Sequence, residues 1–424
     1  MHIDTKCIQA GWQPGNGEPR ALPIVQSTTF TYDSAAYLGD LFDLKAAGHF
    51  YTRLSNPTTA AAEDKINALE GGVGAMCTSS GQAATMTAVL NIAQAGDNII
   101  SLSAIYGGTL NLLAVTLKKM GIEVRFVTQE MSDEEILACF DENTKLVFGE
   151  TIANPALEVL DLERFAALAH QNRVPLVIDN TFATPIFCRP FAYGADIVIH
   201  STTKYMDGHA TVVGGAVVDS GNFDWEASGK FPMLTEPDDS YHGLIYTQSF
   251  GKAAYITKAR TQLMRDMGLT PSPMSAFLLH HNLETLHLRI PRHYENALAV
   301  ARMLAAHEKV SFVSFPKLEG DAQYALAEKY LPNGCSGVIS FGVKGGRAAA
   351  AAFMEALTLA SLEIHVADSH TCVLHPASTT HRQLTDEQLV AAGIGPDMIR
   401  LSVGLEHIDD ILADICQALD AVEA

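Results

Sequence analysis

The sequence has 424 residues, enough for two or three domains, and its 48% hydrophobic and 18% charged residues are typical of a globular protein. Its formal charge of −20 argues against partners such as nucleic acid or an anionic membrane surface, because their phosphate groups would be repelled. We find neither a signal peptide nor an apolar run of membrane-spanning length, and therefore expect a cytoplasmic protein.

The N-terminal residues 1–57 show little periodicity and contain several Pro and Gly, which is typical of an irregular arm. We expect this arm to pack on a neighbouring subunit. From residue 58 to 258, helical stretches alternate with short apolar runs such as DNIISLS, TKLVFGE, VPLVIDN and ADIVIHS. This alternation predicts a large domain with a parallel sheet that is covered by helices on both faces.

A smaller domain is predicted over residues 259–424. Long helical stretches such as YENALAVARMLAAHE are followed by a shorter helix and strand pattern, which ends with MIRLSVGLE and HIDDILADICQALDAV. The predicted fold class is therefore α/β, with a large parallel-sheet domain and a smaller C-terminal α/β domain.

Seven cysteines are scattered along the chain without a C-x-x-C pair, so we expect buried free thiols rather than disulfides or a zinc site. The 16 histidines show no H-E-x-x-H or comparable ligand spacing, and we expect no metal.

Two ionisable residues follow apolar strands in the middle of the chain. Lys204 lies just after ADIVIHS, and Asp179 ends VPLVIDN. Ligands gather at the carboxyl ends of parallel strands, where a desolvated lysine with a depressed pKa can form a Schiff base. A carboxylate at the same edge can keep an aromatic ring nitrogen protonated. Taken singly, the lysine is better explained as solvated and the aspartate as a strand-end cap, but together they favour a cofactor site.

The segment SSGQ at residues 79–82 lies at a predicted turn from a strand to a helix. A helix start presents unpaired N–H groups, and glycine allows an anion to approach the backbone, so this turn could hold a phosphate. A serine that only caps the start of the helix, without any ligand, would account for the same residues. There is neither a G-x-G-x-x-G after the first strand nor a P-loop motif, so nucleotide cofactors are not supported.

Four further residues are candidates with open alternatives. Arg400 lies inside the apolar strand MIRLSVGLE, where its guanidinium could hold a carboxylate or form a structural salt bridge. Tyr106 could stack on an aromatic ring or simply pack in the core. Tyr51 and Arg53 lie on the arm and could reach a phosphate of the neighbouring subunit, although a surface position is the default.

Taken together, these segments and several others resemble the Cys/Met-metabolism family of pyridoxal 5′-phosphate (PLP) enzymes, which have the aspartate-aminotransferase-like type I fold. The resemblance runs from about residue 5 to 420, and the segments that carry it are TKCIQAG, PIVQSTTF, YTRLSNPT, SSGQAA, YGGT, the Asn154-Pro155 pair, VIDNTFATP, HSTTKY, HPASTTH and IRLSVGLE. It implies PLP as the cofactor and a homotetramer built from two active dimers.

The resemblance also implies residue roles. Lys204 corresponds to the Schiff-base lysine and catalytic base, Asp179 to the partner of the pyridine nitrogen, and Tyr106 to the tyrosine on the ring. The phosphate site would be made of Ser80, Gly81, Gln82, Ser201 and Thr203, together with the neighbouring subunit's copies of Tyr51 and Arg53. The substrate carboxylate site would be made of Arg400, Asn154, Tyr51 and the main chain near Thr371.

Within the family, the sequence most resembles the O-acetylhomoserine sulfhydrylases. The segment LTEPDDSYHG at residues 234–243 resembles their insertion, and Gly108 stands where methionine γ-lyases usually carry Cys. The implied reaction converts O-acetyl-L-homoserine and sulfide, or a thiol, into L-homocysteine, or methionine, and acetate, with Tyr106 as a candidate proton donor to the acetate. Methionine γ-lyase, cystathionine γ-synthase and O-succinylhomoserine sulfhydrylase stay open as alternatives, as does a catalytically silent binding protein on this fold.

Overall fold

A computed structural model of the protein describes residues 1–379, 382 and 395–422. The first of two β-sheets has seven strands in the order β1-β7-β6-β5-β4-β2-β3. Its strands are β1 (Gly74–Thr78), β2 (Asn98–Leu102), β3 (Glu123–Val127), β4 (Thr144–Glu150), β5 (Leu176–Asp179), β6 (Ile197–His200) and β7 (Gly215–Asp219). The second sheet has five strands in the order β10-β11-β12-β9-β8. Its strands are β8 (Val310–Ser314), β9 (Val338–Val343), β10 (Ser361–Leu362), β11 (Cys372–Leu374) and β12 (Met398–Ser402).

Helices surround both sheets. Before and along the first sheet they are Ile3–Gln9, Ala35–Phe42, Pro57–Glu70, Gly81–Leu90, Gly107–Asn111, Asp133–Leu137, Leu162–Gln171, Thr184–Phe187, Trp225–Ser228, Pro232–Thr235, Tyr246–Phe250, Ala254–Lys258 and Arg265–Met267, with π-helical turns at Leu112–Leu117 and Ala259–Met264. Later in the chain they are Pro273–Leu283, Leu286–Ala306, Tyr324–Tyr330, Gly346–Ala356 and Ile408–Ala421. Within the part of the chain that the structure describes, none of these helices is long and apolar enough to cross a membrane.

The helix Pro57–Glu70 shows how local sequence sets these elements. Pro57 stands at its first turn, and the Asn56 side chain accepts a hydrogen bond from the Thr58 N–H. Gly71 ends the helix in the left-handed conformation, with φ of 87°, which glycine adopts without a Cβ clash. In the sequence PTTAAAEDKINALEGG, Pro57 near the start and Gly71 after the end predict a helix with these bounds, and the structure confirms both.

The central strands of the first sheet are buried on both faces; β4, for example, is buried at all seven positions. Six strands run in one direction, as predicted, but β7 lies antiparallel between β1 and β6. The predicted sheet is thus parallel except at this strand. Residues 201–214 connect β6 to β7 through turns without a crossover helix, and such a connection returns the chain antiparallel.

The arm predicted over residues 1–57 is not irregular throughout, because it contains the helices Ile3–Gln9 and Ala35–Phe42. The first of these packs on Pro57–Glu70 and Leu286–Ala306 and buries Cys7 completely. The division into residues 1–57, 58–258 and 259–424 stays a prediction. Its second boundary falls within the helical segment that runs from Ala254–Lys258 into the following π-helical turn.

Asp219, the last residue of β7, gives a prediction about stability. Burial raises the pKa of its carboxyl from 3.8 to about 7, against the opposing effect of the N–H groups of Gly221 and Ile256. A raised pKa in the folded state favours folding below the unfolded pKa, and this contribution is lost as the pH rises through 7. The full loss corresponds to roughly 4 kcal/mol.

We therefore expect Asp219→Asn to raise the free energy of unfolding relative to wild type, by an amount that grows between pH 4 and pH 8. Denaturant titrations at several pH values measure it. Glu226→Gln, at an exposed position, is the control and should show no such growth. A constant difference between Asp219→Asn and wild type across this range would contradict the prediction.

Candidate active site

A cavity of about 250 Å³ opens at the carboxyl edge of the first sheet. Ten of the residues singled out in the sequence line it, from segments that are far apart in the chain: Ser80, Gly81, Gln82, Tyr106, Asn154, Asp179, Ser201, Thr203, Lys204 and Arg400. This position agrees with the rule that ligands of α/β sheets bind beyond the carboxyl ends of the strands.

One end of the cavity is formed by the start of the helix Gly81–Leu90. The Ser80 hydroxyl caps this helix by accepting a hydrogen bond from the Ala83 N–H at 3.1 Å. A Cβ at Gly81 would lie 2.7 Å from the Ser201 Cβ, so only glycine allows the helix start to approach this close. Helix N–H groups beside the hydroxyls of Ser201 and Thr203 form a setting that suits a phosphate.

Lys204 lies on the turn after β6 and faces the cavity. Burial, followed by the positive charge of Arg400, lowers the pKa of its amine from 10.5 to about 8. Its Nζ lies 3.4 Å from the His365 Nδ1. A neutral amine is the nucleophilic form of lysine, so this environment favours imine formation near neutral pH.

Asp179 ends β5, next to Glu150 at the end of β4. The Asp179 Oδ1 accepts hydrogen bonds from the Thr181 N–H at 3.0 Å and from the Thr181 hydroxyl. Burial raises the pKa of both carboxyls, and for Glu150 the neighbouring charge of Asp179 raises it further. The pKa of Glu150 is raised further than that of Asp179, so Asp179 is the more readily ionised of the two carboxyls.

We did not single out Glu150 from the sequence. Its Oε1 accepts a hydrogen bond from the Tyr106 N–H at 2.7 Å, and its Oε2 accepts one from the Asn154 N–H at 3.3 Å. The only signal in the sequence was its position at the end of TKLVFGE, equivalent to that of Asp179 in VPLVIDN. Glu150 thus holds the backbone of two other residues of the cavity.

Tyr106 starts the helix Gly107–Asn111, and 45% of its surface is exposed. A Cβ at Gly108 would lie 2.5 Å from the Tyr106 Cε1. The absence of a side chain at Gly108 therefore allows the tyrosine ring to lie against the backbone, where it lines the cavity. A flat ligand could stack on this ring.

Arg400 lies on β12 and is almost fully buried. Its guanidinium donates to the Asn154 Oδ1 at 3.3 Å and to the backbone carbonyls of Ile364 and His365 at 3.3 and 3.1 Å. These acceptors are neutral, and no carboxylate among the described residues forms an ion pair with Arg400. A buried guanidinium that lacks an anionic partner suits a ligand carboxylate.

If Arg400 binds the substrate carboxylate, Arg400→Ala should raise KM by the loss of a charge-assisted pair, roughly 2–4 kcal/mol or about 30-fold to several hundred-fold. Arg400→Lys keeps the positive charge but loses the planar guanidinium that can donate two hydrogen bonds to one carboxylate. Its KM should lie between those of wild type and Arg400→Ala. Steady-state kinetics with varied concentrations of the amino-acid substrate measure both KM values. An unchanged KM in Arg400→Ala would remove the residue from this role.

Three predicted site residues do not line the cavity. Thr371 donates from its N–H and its hydroxyl to Glu406 at 2.7 and 2.8 Å, and its carbonyl accepts from the Ser361 N–H, so its polar groups are already used within the fold. Tyr51 and Arg53 instead line a second cavity of about 540 Å³.

Part of the segment LTEPDDSYHG lies against this second cavity, which Ser240, Tyr241 and His242 help to line. The Arg53 guanidinium lies 5.3 Å from the centre of the Tyr51 ring and donates to the Arg265 carbonyl. In the motif HPASTTH, residues 380 and 381 lie outside the described residues. Among the residues that are described, no group of three potential ligands could hold a metal ion.

The donor set of the first cavity fits a phosphorylated aromatic aldehyde such as PLP. The helix start and the two hydroxyls suit its phosphate, the Tyr106 ring suits its ring, the Asp179 carboxylate suits its ring nitrogen, and the Lys204 amine suits its aldehyde. A cationic ring nitrogen against Asp179 would also offset the burial that raises the pKa of this carboxyl.

Comparisons with known proteins agree with this assignment. The profile of the Cys/Met metabolism PLP-dependent enzymes matches residues 4–420. Homocysteine synthase of Schizosaccharomyces pombe is 47% identical over 99% of this chain and 98% of its own. O-acetyl-L-homoserine sulfhydrylase 1 of Thermus thermophilus is 44% identical over 99% of this chain and 100% of its own.

Among solved structures, the crystal structure named for the Campylobacter jejuni O-acetylhomoserine (thiol)-lyase superimposes with a TM-score of 0.96 at 34% identity and covers 99% of this chain and 100% of its own. It carries N′-pyridoxyl-lysine-5′-monophosphate at its position 205. The family, the α/β fold and the PLP cofactor predicted from the sequence are confirmed. This chain belongs to the Cys/Met metabolism family of PLP-dependent enzymes.

Proposed function

We propose that this protein is a γ-replacement enzyme that converts O-acetyl-L-homoserine and sulfide into L-homocysteine and acetate. The observation that carries the proposal is the meeting of Lys204, Asp179 and Arg400 at one cavity, in a chain of this family. The names of the relatives, homocysteine synthase and O-acetyl-L-homoserine sulfhydrylase, support the choice of substrate.

In the proposed reaction, the bond between Cγ and the acetate oxygen breaks and a bond between Cγ and sulfur forms, without net oxidation or reduction. When bound, PLP supplies an electron sink for negative charge at the substrate Cα. Arg400 binds the substrate carboxylate and so orients the Cα–H bond. Lys204 removes and returns protons at Cα and Cβ, for which a pKa of about 8 is well matched.

The remaining cavity residues support these steps. Asp179 provides the anion against the ring nitrogen, and Glu150 fixes the backbone of Tyr106 and Asn154. Tyr106, which is half-exposed at the cavity, donates a proton to the departing acetate. The helix start at Gly81 holds the phosphate.

The test is incubation of the PLP-loaded protein with O-acetylhomoserine, with and without sulfide, and in parallel with methionine, followed by assays of homocysteine and 2-oxobutyrate. Homocysteine that appears only with the ester and sulfide together supports the proposal. Rapid 2-oxobutyrate from methionine with little homocysteine would identify a γ-lyase instead. If the protein binds no PLP and makes neither product, the result would support the alternative of a catalytically silent binding protein on this fold.

The same family membership supports a proposal about assembly. We infer a cytoplasmic homotetramer of two active dimers, in which Tyr51 and Arg53 of one subunit complete the phosphate site of its partner. Tyr51 and Arg53 do not line the active-site cavity of their own subunit but a separate, second cavity, and this position supports the arrangement. The seven free cysteines are consistent with a reducing compartment.

Mixing variants tests the shared site. Arg53→Ala and Lys204→Ala, each poorly active alone, should regain activity when they are unfolded and refolded together, because the mixed dimer contains one intact site. At equal amounts, random pairing leaves about one quarter of the sites intact. A mixture no more active than the two separate variants would show that Arg53 serves its own subunit or no site at all. Arg53→Ala mixed with itself is the control.

A further inference from the structure

The side chain of His365 faces Lys204 from the loop between β10 and β11. Its Nδ1 lies 3.4 Å from the Lys204 Nζ, although the two residues are 161 positions apart in the sequence. On the other side of the ring, its Nε2 lies 3.8 Å from the Asp368 Oδ2. The imidazole is 17% exposed and the Asp368 side chain 3%, so both are shielded from bulk water.

The positions of Lys204 and Asp368 on opposite sides of the imidazole favour one of its two neutral tautomers. Nδ1 can accept a hydrogen bond from Lys204 only if Nε2 carries the proton, and that proton then points toward the Asp368 carboxylate. Nε2 is buried and makes no hydrogen bond within the described chain. A buried unsatisfied donor is unusual in a purely structural position, and a small rotation of the ring would bring it to Asp368.

We propose that His365 accepts a proton from Lys204 and returns it during each turnover, with Asp368 orienting the ring. The proposal deepens the function proposed above and depends on it. The N–H bond at the Lys204 Nζ breaks and an N–H bond forms at the His365 Nδ1; the return step reverses this. The resulting imidazolium is stabilised by the Asp368 carboxylate next to Nε2.

The charges that face His365 set the direction of this exchange. Burial and the neighbouring charges of Lys204 and Arg400 lower the pKa of His365, whereas the carboxylates of Asp368 and Asp207 raise it. The ring is therefore neutral while Lys204 is cationic, and it becomes a better base once that charge is lost. This is the behaviour required of a group that relays a proton rather than one that holds it permanently.

The backbone of His365 has a separate task. Its carbonyl accepts a hydrogen bond from Arg400 at 3.1 Å, and the Cys372 thiol donates to the same oxygen at 3.4 Å. Substitutions of the side chain leave this carbonyl in place, so carboxylate binding by Arg400, and with it KM, should be preserved. A change in kcat with an unchanged KM thus separates the imidazole from the carboxylate site.

The decisive variant is His365→Asn, whose Oδ1 can still accept a hydrogen bond from Lys204 but cannot take up a proton. We expect kcat to fall by roughly 100-fold, the lower range of general acid–base catalysis. His370→Asn is the matched control, since the His370 Nδ1 also lies 3.8 Å from Asp368 but its side chain is 76% exposed. This control should keep the wild-type kcat.

A second readout does not depend on turnover. In the resting PLP-loaded protein, the pH midpoint of the visible absorption band should fall in His365→Asn relative to wild type and His370→Asn. A neutral imidazole nitrogen is a stronger hydrogen-bond acceptor for a cationic Lys204 nitrogen than an amide oxygen is, so its loss destabilises the protonated form. If His365→Asn fails to fold, His365→Ala with and without added imidazole replaces it, and partial recovery of kcat by imidazole is expected.

Equal kcat values and equal midpoints in wild type and His365→Asn would overturn the proposal, as would a folded His365→Ala variant that loses kcat and gains nothing from imidazole. If the wild-type protein itself makes no homocysteine, the proposed function fails. The absorption titration still reports whether His365 is coupled to Lys204, so the two failures are distinguishable.

Discussion

Replacing Lys204 by alanine should reduce homocysteine formation by at least about four orders of magnitude, the upper range of general acid–base catalysis. The variant loses the amine that moves protons and, with it, the covalent link to the cofactor. The visible absorption band of lysine-bound PLP should disappear in the same protein. Product assays and absorption spectra of wild type and Lys204→Ala measure the two effects.

Two controls separate the chemistry of Lys204 from its charge and its burial. Lys204→Arg keeps a cation but cannot form an imine, and it should be as inactive as Lys204→Ala. Lys258 also has a pKa lowered to about 8 by burial, but its Nζ donates to the Asn91 carbonyl at 2.9 Å, away from the cavity. Lys258→Met should therefore keep turnover. Retained activity in Lys204→Ala would show that the cofactor lysine has been assigned wrongly.

Asp179→Asn is expected to bind PLP and yet to be nearly inactive. The phosphate cradle around Gly81 and Ser201 is unaffected by the change, so the cofactor should remain bound. A carboxylate beside a cationic ring nitrogen would contribute on the order of 4 kcal/mol in a site of intermediate polarity. Its loss corresponds to a decrease in kcat of about three orders of magnitude.

The matched control for this prediction is Glu150→Gln. Both carboxyls end neighbouring strands, and burial together with the charge of Asp179 raises the pKa of Glu150 well above its usual range. Glutamine keeps only one of the two oxygens that accept from the Tyr106 and Asn154 N–H groups, so one of these hydrogen bonds is lost. We expect its kcat to stay within about tenfold of wild type, because the loss of one hydrogen bond costs roughly 1 kcal/mol and the Asp179 carboxylate is kept. Similar losses of kcat in Asp179→Asn and Glu150→Gln would mean that both carboxyls contribute negative charge beside the ring nitrogen.

Much of this protein could be predicted from local features of the sequence. Apolar runs separated by helical stretches predicted the sheet, because strand and helix periodicity depend on residues close together in the chain. Lys204 and Asp179 could be placed at one edge of the sheet for the same reason, since each directly follows such a run. The start and end of Pro57–Glu70 could likewise be predicted from Pro57 and Gly71, which lie at its two ends.

Other features depend on contacts between distant segments, and only the tertiary structure decided them. The direction of β7 follows from how the chain returns after Lys204, which strand periodicity does not encode. Lys204 and Lys258 have the same lowered pKa, and only their positions show which one faces the cavity. The place of His365 beside Lys204 arises where the loop between β10 and β11 meets the turn after β6, because packing of two sheets, rather than any local pattern, brings these side chains together.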